Sequence, residues 1–235
     1  MHIPVKYSWP TDLKKASAMQ KSLAGRVQVS RLTQRPETVG AVDVAYIGPV
    51  RRQTHLVAGV VICDIESGQT LERRSARSRI TVPYVPGFLS FREAPAVLKA
   101  INRLSQTPDV FIVDGHGLAH PRLFGVACHL GVLIDRPTIG CAKSLLAGTP
   151  RRPLATQRGH WVELEYAGRV VGAIVRTRSN VKPVYVSIGH RITLDEAVEL
   201  VLRLADRYRL PEPVRRAHNY VTELARKDKS GPAAG

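Results

Sequence analysis

The apolar positions of this chain change period several times, and each change marks an element. Leu13, Ala16, Met19, Leu23 and Val27 recur at roughly helical spacing, which predicts a helix capped by Thr11 or Asp12 with Lys14, Lys15 and Lys21 on its outer face. Pro36 closes that segment. Three strands follow over residues 38–47, 56–65 and 70–82, parted by turn sequences at Gly48-Pro49 and Ser67-Gly68. The third carries Arg73, Arg74, Arg77 and Arg79, a density of charge suited to an edge or surface strand. Residues 83–87 read as a stiff loop, and residues 91–104 as a helix that turns Val97, Leu98, Ile101 and Leu104 inward.

Val110, Phe111, Ile112 and Val113 form an unbroken apolar run, β-branched or aromatic throughout, and read as a short buried strand. The run ends on a carboxylate, Asp114, and opens into Gly115, His116, Gly117, His120 and Pro121. Downstream the pattern predicts a helix over 123–133, a strand over 137–143 and a basic loop over 148–159. Strands over 169–176 and 184–188 then precede a helix over 193–208, where Thr193 and Glu196 have the spacing of a capping box. Pro211 and Pro213 open a last helix through Val214, Ala217, Val221 and Leu224. Early strands this close favour a meander, and later strand–helix–strand units favour parallel pairing. The expectation is an α/β fold with one mixed β-sheet flanked by helices. Residues 1–227 are expected to form one domain, and residues 228–235 a disordered basic tail.

Charge changes the picture more than composition does. Thirty-five Lys and Arg against 19 Asp and Glu leave a formal +16, a field that attracts polyanions, nucleic acid first among them. Basic groups recur at Arg51-Arg52, at the four arginines of the third strand, at Arg151-Arg152, at Arg176 and Arg178, and at Arg215-Arg216. A generally arginine-rich surface is the alternative. Cys63, Cys128 and Cys141 are isolated from one another, which argues against a disulfide framework or a structural zinc site and fits a reducing, cytoplasmic setting. No run is long enough to span a membrane, and the N-terminus lacks the apolar core of a signal peptide.

Three acids carry the candidate chemistry. Asp43 interrupts an apolar strand, where an unpaired buried carboxylate costs several kcal/mol. It therefore either faces solvent with Ala41 and Ala45 or has an arginine or metal partner; the two alanines leave room for a ligand. Glu93, near the start of its helix, taken alone is an ordinary response to the helix dipole. Asp114, taken alone, is an ordinary loop cap. Three carboxylates at element ends in so basic a chain form a more pointed set. Hard oxygen ligands select Mg²⁺ or Mn²⁺, and such an ion at a phosphate polarises it and acidifies a bound water.

Four stretches together resemble the endonuclease V family, nucleases directed at deoxyinosine. They are Gly40-Ala-Val-Asp43-Val-Ala-Tyr46, Pro83-Tyr84-Val85-Pro86-Gly87-Phe-Leu-Ser-Phe-Arg92-Glu93, Val113-Asp114-Gly115-His116-Gly117-Leu-Ala-His120-Pro121-Arg122, and Ile139-Gly-Cys-Ala-Lys143-Ser144. A fifth, Pro213-Val-Arg-Arg-Ala-His218, is similar to the family's C-terminal helix, and Val85 stands where many members carry Ile. The resemblance implies a ribonuclease H-like fold. It also implies that Asp43 and Asp114 bind Mg²⁺, with Mn²⁺ able to substitute, and that Glu93 completes the acidic cluster. Lys143 and His218 carry over as active-site supports at the scissile phosphate, the attacking water or the leaving group. Family membership implies hydrolysis of the second phosphodiester bond 3′ to deoxyinosine, leaving 3′-hydroxyl and 5′-phosphate ends without excision of the base.

The loop at 83–87 has its own physical reading. Prolines on both sides stiffen it, so Tyr84 and Val85 can be held between bases at low ordering cost. A flipped hypoxanthine would then enter a pocket lined by backbone of Gly87 or of Gly115 and Gly117, with Arg92, His116 and His120 as further nucleic-acid contacts. From the residues alone, a packed tyrosine in an ordinary turn is the alternative. His190 marks a strand-to-helix loop. The expected function is a monomeric DNA repair endonuclease acting on inosine-containing DNA. Its rivals are an inosine-specific endoribonuclease using the same cleft and a non-catalytic reader of distorted nucleic acid, which would have no need of three acids.

Overall fold

The computed structural model describes residues 9–10, 12–48 and 54–229. Thr11 as a cap, the turn at Pro49, the Arg51-Arg52 pair and residues 230–235 of the expected tail lie outside them. Asp12 caps α1 (Leu13–Ala24), its carboxylate accepting from the Lys14 N–H at 2.6 Å. β1 (Thr38–Ile47), β2 (His55–Asp64) and β3 (Thr70–Arg79) form an antiparallel meander. α2 (Leu89–Ile101) leads to β4 (Val110–Val113), and α3 (Val126–Ile134) to β5 (Thr138–Ala142). β6 (Thr149–Pro150), β7 (Trp161–Tyr166), β8 (Arg169–Val175) and β9 (Val184–His190) complete the sheet before α4 (Leu194–Leu204) and α5 (Glu212–Lys229).

The strands lie in the order β3-β2-β1-β4-β5-β9-β8-β7-β6, with β1, β4 and β5 parallel and the remaining pairs antiparallel. This is the expected mixed, ribonuclease H-like sheet. Its central strands are covered on both faces, which is why β4 reads as a continuous apolar run. Ala41, Ile112 and Cys141 join Val198 of α4 and Val214 and Ala217 of α5 in one core. Val42, Phe111 and Val113 join α2 and α3 in the other. Strict period-two alternation along β1 thus sends odd-numbered residues toward α5 and even-numbered ones toward α2.

The arginine-rich β3 is an edge, as its charge requires. It stops at Arg79 rather than 82, because its neighbour β2 begins at His55, directly opposite. Helix α3 begins at Val126 rather than 123, since Leu123 adopts a positive φ of 54°. Helix α4 ends at Leu204 rather than 208, where Ala205 leaves helical geometry. Strand β7 was not expected, although Val162 and Leu164 point inward between outward Glu163 and Glu165 in plain alternation. Helix α5 runs to Lys229, and Asp228 accepts two hydrogen bonds from Arg77, at 2.6 and 2.8 Å, so helix occupies the first two positions of the expected tail. The three cysteines are free and buried, and no described helix is long and apolar enough to cross a membrane.

Candidate active site

Parallel pairing places Val42 of β1 beside Val113 of β4, and the Asp114 N–H donates to the Val42 carbonyl at 3.0 Å. The next pair of residues along the two strands is Asp43 and Asp114. Asp43 follows the α5-facing parity of Ala41 on β1 and Asp114 that of Ile112 on β4, so their carboxylates converge. Lys143, one residue beyond β5, forms an ion pair with Asp114. Helix α5 crosses the same face and brings His218 Nδ1 to 2.8 Å from Asp43 Oδ2. Ligand atoms of Asp43, Asp114 and His218 all lie within 4.8 Å of one another. The two acids are mostly covered while His218 is half exposed, so the centre opens to solvent on its α5 side.

Glu93 arrives from the other face. Because α2 begins at Leu89, Glu93 falls in the second turn and is buried, so the helix-dipole reading does not apply. Its Oε1 accepts from the Tyr46 hydroxyl at 2.7 Å, and the Arg92 guanidinium lies 4.8 Å over the Tyr46 ring. Burial, reinforced by the charges of Asp43 and Asp114, raises its carboxyl to about 7 against the opposing effects of Tyr46 and Arg92. Asp43 is raised too, first by burial and then by Asp114, although the Val44 N–H and His218 oppose the shift. The closest trio thus contains His218, with Glu93 behind it.

The cost that Asp114 adds to ionising Asp43 is relieved by a cation between the two carboxylates. The donors available are hard oxygens and one imidazole. Cys141, nearby in sequence, is buried and its thiol is pushed up to about 12, which keeps it protonated. This donor set fits a divalent cation of the Mg²⁺ or Mn²⁺ kind.

The remaining expected residues divide. Tyr84 is 67% exposed, with Pro83 and Pro86 exposed around it. His116 Nε2–H donates to the Ser144 carbonyl at 2.9 Å and so ties the loop after Asp114 to the loop after Lys143. Gly117 is interior: its N–H donates to Ser187 Oγ at 2.8 Å, and a Cβ there would stand 2.0 Å from the Ile188 carbonyl oxygen. His120 is buried, and desolvation, helped by Arg122 and His116, pulls its imidazole down to about 4. His190 ends β9 opposite Thr138, at the far end of the sheet from the acids. Gly115 directly follows Asp114.

Sequence reading passed over Tyr46 and Arg209. Arg209 donates to the Lys143 carbonyl at 2.6 Å and to the Pro183 carbonyl at 2.7 Å, fixing the backbone beneath the lysine. Tyr46 had a signal: three residues after Asp43 on a strand, it must face the opposite side, toward α2. Arg209 had none, since only tertiary folding brings it to Lys143.

The sheet order and the acid pair just past the end of the parallel β1–β4 pairing define the class, a ribonuclease H-like protein with an acidic centre. The family model for endonuclease V matches residues 21–219. Endonuclease V of Gloeobacter violaceus is 50% identical over 224 residues, covering 94% of this chain and 89% of that protein. The crystal structure of endonuclease V from Streptomyces avermitilis superposes with a TM-score of 0.88 at 39% identity, covering 95% of this chain and 97% of the other. That of the catalytic domain of human endonuclease V gives 0.85 at 32% identity, covering 94% and 98%. The chain belongs to the endonuclease V family and is a nuclease, a hydrolase by class.

Proposed function

We propose that this nuclease is a Mg²⁺-dependent DNA repair enzyme for deaminated adenine. It hydrolyses the second phosphodiester bond 3′ to deoxyinosine and leaves 3′-hydroxyl and 5′-phosphate ends. Mn²⁺ substitutes for Mg²⁺, and the enzyme works as a monomer in the cytoplasm. The observation that carries the reading is the meeting of Asp43, midway along β1, with Asp114, just past the end of the parallel strand β4, with His218 against the first and Lys143 against the second.

Asp43 and Asp114, with Glu93 behind them, hold the ion. A bound divalent cation supplies polarisation of a phosphoryl oxygen and a lowered pKa for water. Lys143, once parted from Asp114, offers its ammonium to the phosphate and offsets charge that builds during displacement. His218 is oriented by its Nδ1 contact with Asp43, which leaves Nε2 to move a proton at the attacking or leaving oxygen. Glu93, with a carboxyl near 7, holds its place through Tyr46. Tyr84, exposed and flanked by prolines, inserts beside the lesion and unstacks it, while Val85, Gly87, Arg92, Gly115 and His116 line the approach; Gly117 and His120 support it from the interior. The +16 charge draws the strand in, so binding weakens steeply with salt.

The test is incubation with matched inosine-containing DNA and RNA strands, with Mg²⁺ or with chelator, and mapping of the cut. Cleavage of the DNA strand at the second bond, abolished by chelator, is expected. Cutting confined to RNA would transfer the enzyme to inosine-containing RNA, and cutting that survives chelation would remove the metal.

A further inference from the structure

The loop at 83–87 rests on a polar clamp that plays no part in the acidic centre. Gln20 of α1 is 1% exposed. Its Nε2 donates to the Gly87 carbonyl at 3.1 Å and to the Phe124 carbonyl at 2.9 Å. Its Oε1 accepts from Arg122 Nε at 2.6 Å. The Arg122 guanidinium lies 4.1 Å over the Phe88 ring, and its backbone N–H donates to His120 Nδ1 at 3.1 Å. Gly87 has φ +82°, and a Cβ there would stand 2.2 Å from Arg122 Nη2.

Two features set this apart from ordinary loop packing. Arg122 Nη2 is buried with no hydrogen-bond partner among the described residues, a cost that a loop merely turning a corner has no reason to incur. The anchoring is also confined to the loop's base. Val82 is buried and the Phe88 N–H closes onto the Val85 carbonyl at 3.0 Å, yet Tyr84 stands out in solvent. The chain therefore holds the root of this loop rigidly and leaves its tip bare.

We propose that Gln20 and Arg122 are positioning residues that set the height and angle of the 83–86 tip, so that discrimination of inosine depends on them although neither touches the lesion. The inference rests on the reading of that tip as an insertion wedge. A side chain displaced by even about an ångström at such a site costs a large factor in selectivity, because insertion must match the spacing of the stacked bases.

The experiment compares Gln20→Leu, Gln20→Glu, Arg122→Lys and Tyr84→Ala in the full chain. Gln20→Glu keeps the size and the acceptor for Arg122 but sets a carboxylate against two carbonyls. Two readouts are taken in Mg²⁺: the ratio of kcat/KM for an inosine strand over its adenine twin, and the fluorescence rise of a 2-aminopurine beside the inosine that precedes cleavage. The ratio does not depend on how much enzyme is folded, so instability alone leaves it unchanged. The clamp variants are expected to lower the ratio about tenfold and to blunt the fluorescence rise. If Tyr84→Ala collapses the ratio while the Gln20 and Arg122 variants keep it, the clamp is overturned and the wedge stands. If all four variants keep it, the wedge itself falls and takes the clamp with it.

Discussion

Strand β4 carries an aspartate at each end, and the two have different lives. At the foot, Asp109 Oδ2 accepts from the Glu37 N–H at 3.0 Å, the Thr38 N–H at 2.9 Å and the Thr38 hydroxyl at 2.8 Å. At the tip, Asp114 meets Lys143 and faces a second acid. Each end also has an Asp–His contact. At the foot, His190 Nε2 lies 3.3 Å from Asp135, which Arg191 joins; at the tip, His218 meets Asp43. The foot's carboxylates are occupied by backbone donors and surface cations, which is architecture. The tip sets like charges together with only the Lys143 and His218 side chains against them, which is the condition for binding an ion and a phosphate.

The sharpest way to break this contrast is at the tip. Asp43→Asn or Asp114→Asn is expected to lower cleavage by about a thousandfold or more, with lesion binding and folding retained. Strand-cleavage kinetics beside a gel-shift assay check it, and normal turnover in either variant would remove the metal assignment. Next comes Glu93 in metal-free protein. Its carboxyl is raised from an ordinary 4.5 to about 7, so the ionised form disfavours the fold. That contribution is intact below about pH 4.5 and is lost as pH rises through about 7. Between pH 5.5 and 8.5 the protein should lose about 2 kcal/mol on this account, and Glu93→Gln should remove the loss. Urea unfolding at the two pH values measures it.

At the foot the expected pattern reverses. Asp109→Ala should cost about 1–3 kcal/mol of stability by stranding its donors, with unchanged cleavage per folded molecule. A cleavage defect beyond the unfolded fraction would erase the distinction between the two ends. The smallest effect is at Arg191→Ala, which loosens an exposed pair with Asp135: under about 1 kcal/mol, read as a small shift in Tm, and no change in cleavage.

The two ends also show where sequence reading reaches its limit. Asp109 and Asp114 look alike as letters, since each flanks the same apolar run. The Gly/His/Pro residues after Asp114 marked the richer side, and the motifs around Asp43, Glu93, Lys143 and His218 carried a resemblance that named the gathering. Local pattern placed β1, the short β4 and the edge character of β3, because apolar runs and charge density are properties of neighbouring residues. Helix ends were misplaced by a few residues where a single backbone torsion, at Leu123 or Ala205, decided them. Glu93 reads from sequence as a helix-start acid and is buried in the second turn, a difference made by two residues of helix boundary.

What the sequence by itself determined is the set of elements, the basic surface, the candidate acids and the family that their motifs resemble. Each is written in neighbouring residues or in simple sums of charge. Tertiary structure alone decided which acids meet. Asp43 and Asp114 become neighbours through a parallel pairing between strands some seventy residues apart, and His218 joins them because α5 packs across β1. Gln20 reaches Gly87 across a comparable gap. Hydrogen bonds and Coulomb forces act over a few ångströms of space and take no account of distance along the chain, so the partners of a polar side chain are known only once the fold is made.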